Sequence, residues 1–307
     1  MSSSTKPILK WVGGKTQIID KITSHFPTQI ANYHELFLGG GSVLFALLEC
    51  RAKNSIQVSG TIYAYDLNDP LIHVYKNIQS NHVALYEKIQ ELVSEYNSCV
   101  SGPVNRKPTN LEEAKQNGEN YYYWSRARYN SLSVDQKRTV EGSALFIFLN
   151  KTCFRGLFRV GPNGFNVPYG NYKKPEIINR DHLDRVHQLI QGVVFECCDF
   201  AVAMPRIIGA GDYAYLDPPY APETDTSFVK YTDAGFALEK HVQLFTLCKA
   251  LPCKWTMSNA DVALVRQHFA EDVYKIESIS CRRAINSAKP ESTTMEVIIC
   301  AVQKTYS

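Results

Sequence analysis

The sequence predicts an α/β fold: a doubly wound parallel sheet interrupted by an inserted, mostly helical segment that carries a β-hairpin. Three observations lead to it. Short continuous apolar runs, of the kind shown by parallel strands buried on both faces, alternate with amphipathic stretches of helical period. The first run ends in a glycine cluster, Gly39-Gly40-Gly41, that opens the next helix. In the middle of the chain the alternation gives way to helical periodicity and a basic bias, and it resumes after Arg180.

Taken in order, Tyr33 to Leu38 is expected as a strand, Ser42 to Arg51 as a helix, Thr61 to Tyr65 as a strand and Leu71 to Ile78 as a helix. Asn97 to Asn110, polar and holding Gly102, Pro103 and Pro108, reads as a linker. Leu111 to Asn150 has helical periodicity, and Arg155 to Val167 reads as two short strands joined at Gly161-Pro162-Asn163-Gly164, a strong turn signal. Beyond it, Val193 to Cys197, Tyr213 to Leu216, Cys253 to Met257 and Tyr274 to Ser280 are expected strands. Leu238 to Leu251 and Val262 to Phe269 are expected helices, and the apolar run Glu296 to Val302 closes the sheet.

A chain of 307 residues suits one large α/β domain with a sizeable core, or a catalytic domain carrying one insertion. Hydrophobic residues make up 45% and charged residues 21%, ordinary globular usage that points away from disorder. The longest apolar runs, such as Gly142 to Leu149 and Val297 to Val302, fall well short of the roughly 20 residues of a membrane span. Met1 to Lys10 lacks the apolar core of a signal peptide, so an intracellular protein is expected, working in a bacterial cytoplasm or an infected host cell. Nine cysteines without a Cys-x-x-Cys pair read as reduced thiols, and no metal site is expected. The net charge is only +3, but residues 101–190 hold 14 Lys and Arg against 8 Asp and Glu, a local net of +6. A nucleic-acid partner and a solvated helical surface are both consistent with that bias.

Four motifs fall at expected strand ends, where ligands of such sheets bind. Phe37-Leu38-Gly39-Gly40-Gly41-Ser42 lets a ligand approach the backbone and the amide groups that open a helix, although a sterically tight turn also asks for glycine. Asp66, 25 residues beyond Gly41, is suited to ribose hydroxyls or to capping a helix. In Lys10-Trp11-Val12-Gly13-Gly14-Lys15-Thr16 a phosphate-binding P-loop would need glycine at position 9, where Leu9 stands. What remains is an aromatic surface and a cation, fit for an adenosine or a carboxylate, or else a buried tryptophan and a solvated lysine.

Asp217-Pro218-Pro219-Tyr220 carries the most information. Its two prolines stiffen the turn and remove two N–H donors, leaving carbonyls that accept. An exocyclic amine of a nucleobase has its lone pair delocalised into the ring, and becomes nucleophilic when acceptors hold its hydrogens. Asp217 and the Pro218 carbonyl supply such acceptors. Tyr220 supplies a stacking face for a base swung out of a duplex.

In these residues the chain resembles the Dam-type family (D12 class, group alpha) of site-specific DNA adenine-N6 methyltransferases. The resemblance runs from Lys10 to about Val302. It rests on Lys10-Trp11-x-Gly13-Gly14-Lys15, Glu35-x-Phe37-x-Gly39-x-Gly41-Ser42, Asp66-x-Asn68, Asp217-Pro218-Pro219-Tyr220 and Ser258-Asn259. It includes also the block Phe148-Leu149-Asn150-Lys151 through Phe165-Asn166-Val167-Pro168-Tyr169-Gly170-x-Tyr172-Lys173-Lys174-Pro175. Implied is a Rossmann-like S-adenosylmethionine-dependent methyltransferase sheet made of residues 1–80 and 191–307, with a target-recognition domain at 81–190. Implied too is methyl transfer to N6 of a flipped adenine in double-stranded DNA, with GATC as the family's usual target.

By the resemblance, Trp11, Lys15, Phe37, Gly39, Gly41, Ser42, Asp66 and Asp217 bind S-adenosylmethionine. Asp199 meets its adenine or caps the local surface. Asp217, Pro218, Pro219 and Tyr220 form the catalytic loop, and no metal is required. The hairpin is shaped for a major groove, with Arg155 and Arg159 as base or phosphate contacts and Asn150, Lys151, Lys173 and Lys174 on the DNA backbone. Two departures stand out: Leu36 replaces a common proline, and Arg155 replaces a common asparagine before Gly156, which sets the GATC target apart as the point to test. N4-cytosine methylation uses the same acceptor geometry, and a catalytically inactive DNA-binding relative is the alternative from another class. A companion restriction endonuclease fits the family, and monomeric action is the default expectation.

Overall fold

Tyr33-His34-Glu35 and Tyr213-Ala214-Tyr215-Leu216 consist only of buried residues, and they form the middle of a seven-stranded sheet. The structure, a computed structural model, describes residues 5–222, 236–282 and 293–301. Numbered along the chain, the sheet strands are β1 (Tyr33–Glu35), β2 (Ile62–Asp66), β3 (Val193–Cys197), β4 (Tyr213–Leu216), β5 (Lys254–Ala260), β6 (Tyr274–Arg282) and β7 (Thr293–Ala301). Their spatial order is β6-β7-β5-β4-β1-β2-β3. The five from β3 to β5 pair in parallel, and the order reverses between β1 and β4, the switch point beside which doubly wound sheets bind ligands.

The expected strands are all present, with one difference in direction. β7 lies antiparallel between β5 and β6. Only residues 283–292 separate β6 from β7, too few for the crossover that a parallel pair would need. Val302, expected to end the last strand, lies outside the described residues, as do Met1 to Ser4.

The two middle strands are less apolar than a buried parallel strand usually is, and their tyrosines are satisfied within the sheet. The Tyr33 hydroxyl donates to Glu35 at 2.8 Å, while those of Tyr213 and Tyr215 lie 2.6 Å from Thr256 and 2.9 Å from Ser258 of β5. Leu216, Phe245, Trp255, Met257, Phe269, Val297 and Ile299 form a hydrophobic core in which the helices Leu238–Ala250 and Ala263–His268 pack on these strands.

His34 of β1 and His241 of the first of these helices are buried at 4% and 1% exposure, and burial pushes both imidazoles down to about 4. An unfolded imidazole titrates near 6.5, so between those values the unfolded chain binds more protons and stability falls as the pH drops. Each histidine is expected to remove about 2 kcal/mol of stability between pH 7 and pH 5. A denaturation midpoint that stays flat over that range would contradict this.

The chain divides into two compact units. The sheet unit comprises Lys15–Leu38, Ala46–Leu67 and Gly192–Ser307, and the helical unit Met1–Gly14, Gly39–Phe45 and Asn68–Gln191. In the latter the helix Asp69–Asn97 buries Leu71, Tyr75, Ile78, Leu85, Ile89 and Leu92, a three-to-four-residue repeat that continues well past the expected end at Ile78. Its one non-helical residue is Asn81. The expected linker begins where this helix stops. The helices Leu111–Lys115, Gly118–Ser131, Val134–Lys137, Val140–Thr152 and Arg180–Leu189 complete the unit. The hairpin is shorter than its sequence suggests, pairing Val160–Gly161 with Gly164–Phe165 across Pro162-Asn163. Asn130 pins it from the neighbouring helix, accepting from the Phe165 N–H at 2.8 Å and donating to its carbonyl at 2.9 Å. Among the described residues no helix is long and apolar enough to cross a membrane.

Candidate active site

β4 ends at Leu216, and the next residue, Asp217, places its carboxylate 2.8 Å from the Lys15 ammonium. The Lys15 side chain is 4% exposed and that of Asp217 20%. Burial pushes the Asp217 carboxyl up from its ordinary range, and Lys15 works against that shift by favouring the anion. Pro218 is buried and Pro219 exposed, which anchors the turn on one side only. The ring of Tyr220 lies 4.9 Å below the same ammonium, so one buried cation contacts both the carboxylate and the aromatic of the loop.

Two further contacts fix the loop. Asn259 at the end of β5 is fully buried, and its side-chain oxygen accepts from the N–H groups of Ala221 at 3.0 Å and Ala260 at 2.8 Å. The Tyr220 hydroxyl donates to Glu296 of β7 at 2.7 Å. Ser258-Asn259 is readable as a motif, but its partner Ala221 is not. Glu296 is the only charged residue of its strand, Thr293–Ala301, and that is the signal that could have drawn attention to it.

At the neighbouring strand ends, Asp66 closes β2 half-buried. The helix that follows is capped by Asn68, whose side chain accepts from the Leu71 N–H at 3.1 Å, so Asp66 is not spent as its cap. Asp199, just beyond β3, does cap a helical turn: one oxygen accepts from Ala201 N–H at 2.8 Å while the other lies 3.4 Å from the Lys240 ammonium. Phe37, Phe200 and Phe236 form a ring cluster next to it, with centroids 5.5 to 6.0 Å apart.

In the helical unit, Gly39 and Gly41 take left-handed backbone, φ +48° and +73°. A Cβ on Gly39 would come within 2.9 Å of the Trp11 indole, so the close approach of the half-buried Trp11 to this turn requires glycine. Ser42 opens the helix Ser42–Ala52.

The expected DNA contacts occupy different environments. Asn150 is 4% exposed, and its amide clasps the backbone of Lys10, accepting from the Lys10 N–H at 2.9 Å and donating to its carbonyl at 2.8 Å. Lys151 is half-buried, and desolvation with Lys10 nearby pushes its ammonium down to about 8. Arg155 has φ +57°, a left-handed backbone that arginine rarely adopts, and its N–H donates to the Tyr172 hydroxyl at 2.8 Å. Arg159 is exposed and bonds Asn166 at 2.6 Å. Lys173 and Lys174 are exposed.

A loop of this kind lies where α/β enzymes with such sheets bind their ligands, beyond the carboxyl ends of the parallel strands at a switch point. Among similar proteins, the type II methyltransferase M.MjaIII of Methanocaldococcus jannaschii is 37% identical over 246 residues, 78% of either chain. The type II methyltransferase M1.LlaDCHI of Lactococcus lactis subsp. cremoris is 28% identical over 302 residues, 96% of this chain and 94% of that one. The DNA adenine methylase of Escherichia coli K12 is 29% identical over 287 residues, covering 92% and 90%. Residues 11–285 match the D12 class of N6 adenine-specific DNA methyltransferases, and the chain belongs to that family. It methylates adenine in DNA at N6.

Proposed function

We propose that the chain takes its methyl group from S-adenosylmethionine and delivers it to an adenine swung out of duplex DNA at a specific site. The observation that carries this reading is the Lys15–Asp217 pair at the end of β4, beside the switch point. The ionised carboxylate of Asp217 and the carbonyl of Pro218 hold the hydrogens of the N6 amine, which frees its lone pair, and Tyr220 stacks on the base. Pro219 stiffens the turn that presents them. S-adenosylmethionine supplies an electrophilic methyl group on a sulfonium. As the new C–N bond forms and the C–S bond breaks, Asp217 or solvent receives the proton released by nitrogen.

The residues present fit that donor. Asp66, at the carboxyl end of β2, suits the ribose hydroxyls, while Phe37 and Asp199 suit the adenine. Trp11, Lys15, Gly39, Gly41 and Ser42 complete the set assigned to it, the glycines through backbone that no side chain could adopt without strain.

Arg155, Arg159, Lys151, Lys173 and Lys174 are assigned to DNA, whereas Asn150, expected beside them, is engaged with the Lys10 backbone. The basic excess of residues 101–190 supports this. Arg155 occupies a left-handed position that asparagine tolerates at lower cost, which supports a role for its guanidinium in reading the target. GATC is therefore the first duplex to test, with Arg155 as the point where preference departs from it. The names of two similar proteins support a companion restriction endonuclease, and a DNA substrate supports work inside a bacterial or infected host cell.

Incubation of the purified chain with methyl-labelled S-adenosylmethionine and duplexes with or without GATC tests the reading. Label is expected in N6-methyladenine, and sequencing of the modified DNA then reads the site. Label in N4-methylcytosine, or none, overturns it.

A further inference from the structure

Glu296 reaches the loop that follows β4 from two strands away. β7 is the one reversed strand, so it brings its amino-terminal end to the edge where β4 and β5 bring their carboxyl ends. The register sets Glu296 opposite Ala260 and Val297 opposite Asn259, the residue that holds the Ala221 N–H. From there the Glu296 carboxylate accepts the Tyr220 hydroxyl at 2.7 Å, a charge-assisted hydrogen bond on a half-buried ring.

We infer that Glu296 is a positioning residue for the methyl transfer, fixing through the Tyr220 hydroxyl the ring that stacks on the flipped adenine. The inference rests on the reading of Asp217 to Tyr220 as the catalytic loop. A tyrosine held only by packing turns about two side-chain bonds, whereas this ring is fixed at both ends. Its backbone is held through Ala221 on Asn259 and its hydroxyl on Glu296, with the Lys15 ammonium 4.9 Å from its face. A stacking face already oriented loses nothing to ordering when the base arrives. The same carboxylate adds negative charge to the surroundings of Asp217, where an adenine amine becomes cationic as it is methylated. A hydroxyl between two carboxylates has little tendency to ionise, and burial holds the Tyr220 phenol protonated as a donor.

Steady-state kinetics on unmethylated duplex DNA test this with Glu296→Ala, Glu296→Gln, Tyr220→Phe, Tyr220→Ala and the double variant Glu296→Ala with Tyr220→Phe. Glu296→Ala is expected to lower kcat about tenfold, the size of one charge-assisted hydrogen bond, with KM for S-adenosylmethionine changed less than about twofold. Glu296→Gln keeps an acceptor and is expected to recover most of that loss. Tyr220→Phe should lose about as much as Glu296→Ala, and the double variant no more than either single change. A Glu296→Ala turnover within about twofold of the unaltered chain, or losses that multiply in the double variant, overturns the inference. Tyr220→Ala separates the two readings. If it is impaired and Glu296→Ala is not, only the role of Glu296 falls; if it turns over normally, the loop is not the catalytic one.

Discussion

Asp217→Asn is expected to lower kcat on the order of 10²- to 10³-fold, a loss typical of removing one preorganised electrostatic contact in an active site, while duplex binding changes less than about twofold. The replacement keeps the size of the side chain and one carbonyl oxygen, so what it removes is charge. Asp217 lies 2.8 Å from Lys15, whose ammonium also contacts the Tyr220 ring, and neither group is among the residues assigned to the DNA backbone. Single-turnover methyl transfer and a gel-shift titration on the same preparation separate the two quantities. Turnover near that of the unaltered chain would remove Asp217 from the chemistry. The pH profile of the unaltered chain carries a related expectation. The ionised form accepts the amine hydrogens, and burial raises the carboxyl, so the acidic limb of kcat is expected above the ordinary carboxylate range. Activity should fall as the pH drops through that raised value, and a limb at or below the usual position of an exposed aspartate would contradict it.

Asn150→Ala is expected to destabilise the protein by about 3 kcal/mol, through groups left without partners and not through lost DNA contacts. The amide is 4% exposed and serves the Lys10 N–H, the Lys10 carbonyl and, at 3.3 Å, the Gly156 carbonyl. Each buried polar group stripped of its partner costs about 1–3 kcal/mol. The neighbourhood has little room to relax: Gly156 has φ +66°, and a Cβ there would lie 2.3 Å from the Lys10 Cβ. Urea denaturation measures the shift, and Asn150→Asp, which keeps the acceptor and loses the donor, should fall between the two. A midpoint unchanged in Asn150→Ala, together with weakened DNA binding, would show instead that the side chain works at the surface.

Most strands were legible because burial on both faces writes itself as apolar runs, a mark only weakened in the two middle strands by polar groups that pair within the sheet, and Asp217-Pro218-Pro219-Tyr220 because two prolines after a buried strand have little structural reason to be there. Orientation was not legible. Asn150 stands between the apolar run Gly142 to Leu149 and a basic stretch, and nothing local says that its amide turns to a backbone 140 residues earlier. Asp66 and Asp199 look alike as lone acids after strands, yet a neighbouring asparagine caps the helix at the first and the aspartate itself caps at the second. Glu296 was hidden for a different reason. Its importance depends on β7 running backwards, and the direction of a strand leaves no mark on its own composition.

The place of β1 in the sheet also matters during synthesis. Tyr33 pairs with Ile62 on one side and with Tyr213 on the other, so the second partner is translated 180 residues later. At about 5–20 residues per second, β1 waits roughly 9 to 36 s with one hydrogen-bonding edge open. Gly39–Phe45 and Asn68–Gln191 of the helical unit are translated in that interval. An unpaired edge of buried residues is an invitation to wrong partners, so the nascent chain is most vulnerable to misassembly just before β4 leaves the ribosome.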